Sequence, residues 1–198
     1  RGKRTGIAAI KIATDMVKEK LITKEVAVSR VRPHQIYESL LKNIDPKDVK
    51  NNLPVSLGLP AGPGASCGIA VFTAERAEEL GKKNKKVILV REETSPEDIH
   101  GMHYSEGILT SRGGLTSHAA LVARGWGKSC VVGCQDLTID KSHTFAKIGD
   151  KKIKEGDHIT LNGSSGDIYL GKMRLFQNPL NNTGPLSLLL SWADKIRK

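Results

Sequence analysis

The apolar residues of this chain change rhythm near residue 65. Before it, Ile7, Ile10, Ile12, Met16 and Val17 are interspersed with lysines, Thr23 stands ahead of Glu25 and Val28, and Pro33 precedes Ile36, Leu40 and Leu41. That spacing, with a hydroxyl cap and a leading proline, predicts short amphipathic helices over the first sixty residues. Beyond it the apolar residues gather in short continuous runs at 68–72, 87–90, 107–109, 130–132, 159–161 and 168–170. Such runs read as strands, and Val-Ile-Leu-Val at 87–90, with no polar alternation, fits a strand covered on both faces. Thr73 predicts a helix through Glu75, Ala77 and Leu80, and Ser95-Pro96-Glu97-Asp98 supplies a cap, a first-position proline and first-turn acids. Residues 119–124, Ala-Ala-Leu-Val-Ala-Arg, favour a helix that Gly125 and Gly127 stop. Turns are expected at Gly149-Asp150 and at 163–166, and a last helix over 186–196. Strand, helix, strand, helix, strand, helix and then strands makes the fold class α/β with a β-rich end.

Proline and glycine punctuate this pattern twice. Pro54, Gly58, Pro60, Gly62, Pro63 and Gly64 read as a linker or tight loop, and Asn178, Pro179, Asn181, Asn182, Gly184 and Pro185 as a second. They divide the chain into an N-terminal helical segment with its linker (1–62), an α/β domain (63–172), and a linker with a C-terminal helix (173–198). Linkers on both sides are what a domain needs in order to rotate as a unit.

Composition narrows the function. The length of 198 residues holds one good domain with appendages, or two small ones. A net charge of +10 admits nucleic acid, acidic membranes, phosphorylated substrates or acidic domains as partners. The lysines at 82, 83, 85 and 86 and at 151, 152 and 154 read as solvated faces or as a docking surface, and no aromatic platform accompanies them, so no nucleic acid is expected. No apolar run is long enough to cross a bilayer, so no membrane is expected either. The odd set Cys67, Cys130 and Cys134, without a C-x-x-C pair, fits small buried side chains in a reducing, intracellular compartment, cytoplasm or organelle. The chain opens at Arg1 rather than Met and reads as a piece of something larger.

The candidate chemistry lies where a strand ends, Gly113-Gly114 break the pattern, and a helix begins after Thr116, Ser117 and His118. At a helix N-terminus unpaired N–H groups and the positive end of the dipole favour anions, phosphate above all. Thr116 and Ser117 add hydroxyls, and either can be the cap. A histidine here offers a ring nitrogen as nucleophile, and the same N–H groups would stabilise a phosphoryl group on it. The competing reading is a structural histidine at an ordinary helix start.

The full string GGLTSHAALVARGWG at 113–127 resembles the phosphohistidine motif of the phosphoenolpyruvate-utilising enzymes. Within that family the pattern is closest to the dikinase branch. The synthases and enzyme I of the sugar phosphotransferase system typically have Arg in place of Leu115, and the synthases often have Cys in place of Ser117. The dikinase pattern usually carries Met at the positions of Leu115 and Trp126; both replacements are apolar. The resemblance implies a swivelling β/β/α phosphohistidine domain with His118 as nucleophile and carrier, joined to a nucleotide-binding domain and to a phosphoenolpyruvate/pyruvate-binding barrel. It implies the reversible conversion of ATP, phosphate and pyruvate to AMP, pyrophosphate and phosphoenolpyruvate, assisted by Mg2+ and a monovalent cation bound outside this segment. The whole enzyme is expected to be a homodimer, and this segment alone inactive, since it has no phosphate-binding loop and no acidic cluster for magnesium. The alternatives are the same domain of a synthase or of enzyme I, and more distantly a basic, non-catalytic interaction module.

Supporting roles follow from the same resemblance. Gly113 and Gly114 permit close backbone approach, Thr116 and Ser117 orient and cap, and Thr94 aligns with a segment that supports the reactive histidine. In plant members the threonine at position 116 is a regulatory phosphorylation site. Arg112, on the loop itself, is the expected charge-assisted contact. Arg124, further inside the helix, is expected to anchor packing or dock a partner. His100 and His103, three apart, lack further ligands for a metal, and none is expected; His34, His143 and His158 have no context above surface or core.

Overall fold

Helices open the chain where apolar residues recur at three and four positions. The structure, a computed structural model, describes residues 6–177 and 184–197. Helix α1 (Gly6–Lys18) buries Ile10 and Ala13, α2 (Lys24–Arg30) buries Ala27, and α3 (Pro33–Leu40) starts on its proline. Thr23 caps α2, its hydroxyl accepting from Val26 N at 3.4 Å. Ile12 departs from its expected place on the apolar face and is 38% exposed. The buried stripe runs through Ile10, Ala13, Thr14 and Val17, and Ile12 lies off that spacing.

Residues 42–62, expected to be helical and then a linker, hold three short strands and one short helix. Strand β1 (Lys42–Ile44) and the short α4 (Pro46–Asn51), capped by Asp45 through Lys47 N, are followed by β2 (Ser56–Leu57) and β3 (Leu59–Gly62). The α/β core is then built from β4 (Ala65–Val71), α5 (Ala74–Lys82), β5 (Val87–Arg91), a 3-10 turn at Pro96–Asp98, α6 (Ile99–Tyr104), β6 (Gly107–Thr110), α7 (His118–Gly125) and β7 (Ser129–Val132). Strands β8 (Leu137–Ile139), β9 (Phe145–Ile148), β10 (Lys151–Lys154), β11 (His158–Asn162), β12 (Asp167–Leu170) and β13 (Leu175–Gln177) follow.

Eight strands form the main sheet in the order β2-β12-β11-β4-β5-β6-β7-β3. Its centre, β4 to β7, is parallel, and each step is made through a helix. Only Gly58 separates β2 from β3 in sequence, yet they occupy opposite ends of the order. The sheet is therefore rolled until its edges meet at Gly58, whose carbonyl would lie 2.1 Å from a Cβ on Gly166. That closure, not a free linker, accounts for the proline and glycine at 54–64. Pro60 sits in β3, an end strand, where a missing N–H is tolerated.

The two faces of the sheet fill two cores. Val87, Leu89, Ile108, Cys130 and Val132 point to α5, α6 and α7, meeting Ala77, Met102, Ala119, Ala120 and Ala123. Ile88, Val90, Leu109 and Val131 point the other way, to a core closed by the antiparallel sheet β10-β9-β8. In that small sheet Ile139, Ala146, Ile148 and Ile153 are buried, while Thr138, Lys147, Lys152 and Lys154 are exposed. The layers are thus small sheet, large sheet and helices, the expected β/β/α class. Close packing of α5 on α6 needs a glycine at two points: a Cβ on Gly101 of α6 would lie 2.5 Å from Ala74 Cα of α5, and one on Gly81 of α5 would lie 2.5 Å from Tyr104 Cβ of α6.

The chain closes with α8 (Pro185–Arg197). The described residues of 1–41 and 177–198 form one unit, with Ile10, Ala13, Ala27, Val31, Leu186, Leu189 and Trp192 as its core; residues 42–176 form a second. These boundaries differ from those at 62/63 and 172/173, because β1 to β3 belong to the sheets of the second unit. Asn178, Pro179, Asn181 and Asn182 of the expected second linker lie outside the described residues.

Candidate active site

Strands β5 and β6 are adjacent and parallel, with Arg91 opposite Thr110, so the segments leaving their carboxyl ends run side by side. The pairing continues past both strands: Ser111 N donates to Arg91 O at 3.2 Å and Arg112 N to Glu92 O at 2.8 Å. This brings Thr94, after β5, to His118, at the head of α7. Thr94 Oγ1 lies 3.0 Å from His118 Nδ1. Thr94 is buried and His118 half-buried.

The loop before α7 is set by its backbone. Gly113 has φ +97°, and a Cβ there would lie 2.9 Å from Ser117 Cβ. Gly114 O accepts from Ser117 N at 3.0 Å. Of the two candidate caps Ser117 takes the position, its Oγ accepting from Ala120 N at 3.4 Å, and Thr116 is left exposed on the loop. From below, Gly133 after β7 approaches so closely that a Cβ on it would lie 2.9 Å from Gly113 O. Sequence reasoning missed Gly133, because the need for a glycine there arises from a carbonyl twenty residues away.

The two arginines part company. Arg112 is 71% exposed in its side chain and lies 3.8 Å from Glu92. Arg124, expected to serve packing or docking, turns back along the helix and donates from Nη2 to Leu115 O at 2.6 Å. Helical side chains lean toward the N-terminus, and that direction was the signal available in the sequence. Glu97 stands near: the Ser95 hydroxyl, then its own backbone, hold its carboxyl below the usual carboxylate range, with His118 adding to the effect.

Behind α7, burial pushes the Cys130 thiol up to about 12, so it stays protonated and inert at neutral pH. Its Sγ donates to Ala119 O at 3.8 Å, which makes it part of the helix seat. Lys128, its ammonium pKa lowered by burial, donates to the carbonyls of His103 and Ser105. The His103 ring meets Trp126 edge-on at 5.3 Å. Among the described residues no three His, Cys, Asp or Glu side chains come together to hold a metal.

Chemically, the arrangement leaves one ring nitrogen available. With Nδ1 facing Thr94, Nε2 is the nitrogen free to attack. The N–H groups of His118 and Ala119 lack intrahelical acceptors at this helix start, and they favour an anion.

Residues 83–166 match the family described as PEP-utilising enzyme, mobile domain, so the resemblance drawn from the motif at 113–127 stands. Over its whole length the chain is similar to the central region of the pyruvate, phosphate dikinases. It is 50% identical over 198 residues to pyruvate, phosphate dikinase 1, chloroplastic, of Arabidopsis thaliana, covering 100% of this chain and 20% of that protein. It is 53% identical over 194 residues to pyruvate, phosphate dikinase of Rickettsia felis, covering 98% of this chain and 22% of that protein. The chain thus spans about a fifth of the length of these relatives. A solved structure of Enzyme I is 23% identical over 57% of this chain and 38% of that one, with a TM-score of 0.31, too low to establish a common fold. Among the described residues no helix is long and apolar enough to cross a membrane.

Proposed function

We propose that this chain is the phosphoryl-carrying region of a pyruvate, phosphate dikinase, with Nε2 of His118 as nucleophile and carrier. The observation that carries the reading is the pairing of His118 Nδ1 with Thr94 at a helix start, inside a chain similar throughout to dikinases. A hydroxyl accepting from Nδ1–H holds the tautomer whose Nε2 lone pair is available. Taken from phosphoenolpyruvate, the Nε2–P bond forms as the P–O bond to the enolate breaks, and the enolate takes a proton to become pyruvate. In the other direction ATP gives up two phosphoryl groups and leaves as AMP: one stays on His118, and the other joins inorganic phosphate and leaves as pyrophosphate.

The helix N-terminus and the Ser117 cap stabilise the phosphoryl oxygens, while Gly113 and Gly114 let the backbone approach them. Arg124 fixes the loop by its bond to the Leu115 carbonyl, and Arg112 is the exposed charge at the rim. The residues described here assemble no metal site. Mg2+ and the monovalent cation are assigned to the nucleotide and pyruvate sites of the longer, homodimeric, intracellular protein. The β/β/α unit is the part that swivels between those sites. Thr116, exposed beside the cap, is proposed as a regulatory site. A phosphate there would set roughly two negative charges against the incoming phosphoryl group, and a Thr116→Asp chain retaining full transfer would discard that role.

The test is to mix this chain with a separately made barrel region of a dikinase and phosphoenolpyruvate labelled in its phosphate. The expected result is label on the chain that is acid-labile, base-stable and absent from His118→Ala. Equal labelling of His118→Ala would overturn the assignment. In the longer protein, dependence on inorganic phosphate with release of pyrophosphate separates a dikinase from a synthase.

A further inference from the structure

Thr94 can orient an imidazole only if Thr94 is itself held, and its segment has no regular structure to hold it. Residues 92–95 lie between the end of β5 and the 3-10 turn, and Glu92, Glu93 and, in the turn, Glu97 are exposed. What closes the segment is an ion pair across its base: Arg91 Nη2 lies 3.3 Å from Asp98 Oδ1. The Asp98 side chain is 7% exposed and that of Arg91 26%. The other carboxylate oxygen, Oδ2, accepts from Ser95 N at 2.9 Å and from Ser95 Oγ at 3.4 Å. Arg91 is anchored in turn, donating from Nη1 to Phe72 O at 3.2 Å at the end of the neighbouring strand. Its Nε is buried without a hydrogen-bond partner, so the two Nη groups alone hold the guanidinium.

We infer that the Arg91–Asp98 pair is a clamp that sets the Thr94–His118 hydrogen bond, which makes both of them positioning residues for the reactive nitrogen. The peptide link between Thr94 and Ser95 leaves little slack between the clamped Ser95 N–H and the Thr94 side chain. Neutralising Asp98 leaves Arg91 a half-buried charge with no counter-ion, and a charge in that position moves toward water. The exposed Glu92, Glu93 and Glu97 cannot replace a buried carboxylate. Once Arg91 swings out, Ser95 loses its fixed acceptor and Thr94 no longer meets Nδ1 in one geometry. The kinetic consequence of the clamp rests on the function proposed above; the geometric one does not.

The test uses the chain labelled with 15N and reads the His118 ring nitrogens by NMR. The wild-type chain should show one tautomer with Nδ1 hydrogen-bonded. Asp98→Asn, which retains an acceptor for Ser95 N but no charge, should shift the ring signals toward those of Thr94→Val, with strand amide signals unchanged. Asp98→Glu and Arg91→Lys, which keep the charges, should restore the wild-type pattern in part, and they carry the test if Asp98→Asn does not fold. In the labelling reaction, Asp98→Asn should slow His118 phosphorylation by up to the loss seen in Thr94→Val, about fivefold. The double variant with Thr94→Val should be no slower than Thr94→Val alone. Unmoved ring signals in Asp98→Asn, or full additivity of the two losses, would overturn the clamp. A wild-type chain that takes no label defeats the proposed function, while the ring signals still decide the clamp.

Discussion

At the scale of single residues the site is a matter of which atoms are occupied. Thr94 engages one ring nitrogen of His118, and the other is the one proposed to carry the phosphoryl group. Thr94→Val keeps the shape and removes the hydroxyl. A neutral hydrogen bond is worth about 1 kcal/mol, so phosphoryl transfer to His118 should slow about fivefold or more with little change in stability. A labelling time course checks this, and an undiminished rate would remove Thr94 from the site. Gly113 is constrained twice over, by its φ of +97° and by Ser117 Cβ at 2.9 Å. Gly113→Ala should therefore cost at least about 1–2 kcal/mol, read as a fall in the thermal unfolding midpoint. These residues were legible in the string at 113–127, because a glycine turn into a capped helix is a local signal. The meeting of Thr94 with His118 was not local. It depends on β5 and β6 lying side by side, and only the resemblance pointed to it.

Among elements, the parallel strands were legible because they are buried on both faces and carry unbroken apolar runs. The strands at 42–62 were hidden by prolines and glycines that serve edge positions and the closure at Gly58 instead of a linker. β9 and β10 were hidden by their lysines, which alternate with the buried Ala146, Ile148 and Ile153 and read as a solvated run. The contact of α5 with α6 is equally silent in sequence, since it rests on missing side chains at Gly101 and Gly81. With its Cβ position 2.5 Å from Ala74 Cα, Gly101→Ala forces the helices apart. Overpacking of this kind costs about 1–3 kcal/mol, measurable by denaturant unfolding; an unchanged midpoint would mean that α6 shifts freely.

For the molecule as a whole, exposed ion pairs and local hydrogen bonds hold several carboxylates below their usual range. Arg174 does so for Asp48, Lys83 for Glu79, Lys11 for Asp15 and the Ser142 hydroxyl for Asp140. A carboxylate whose pKa is depressed by folding contributes stability above its unfolded pKa, about 4, and loses it as pH falls through the folded value. The unfolding midpoint should hold near neutral pH and drop below about pH 5, less steeply in high salt because the pairs are exposed. A midpoint flat to pH 3 would contradict this. The central claim is narrower: one imidazole nitrogen carries the phosphoryl group. Mass-spectrometric peptide mapping of the labelled protein, with 15N–31P coupling to identify the nitrogen, tests it most directly. The account predicts a phosphoryl group on Nε2 of His118; a phosphoryl group on Nδ1, or on any other side chain, would contradict it.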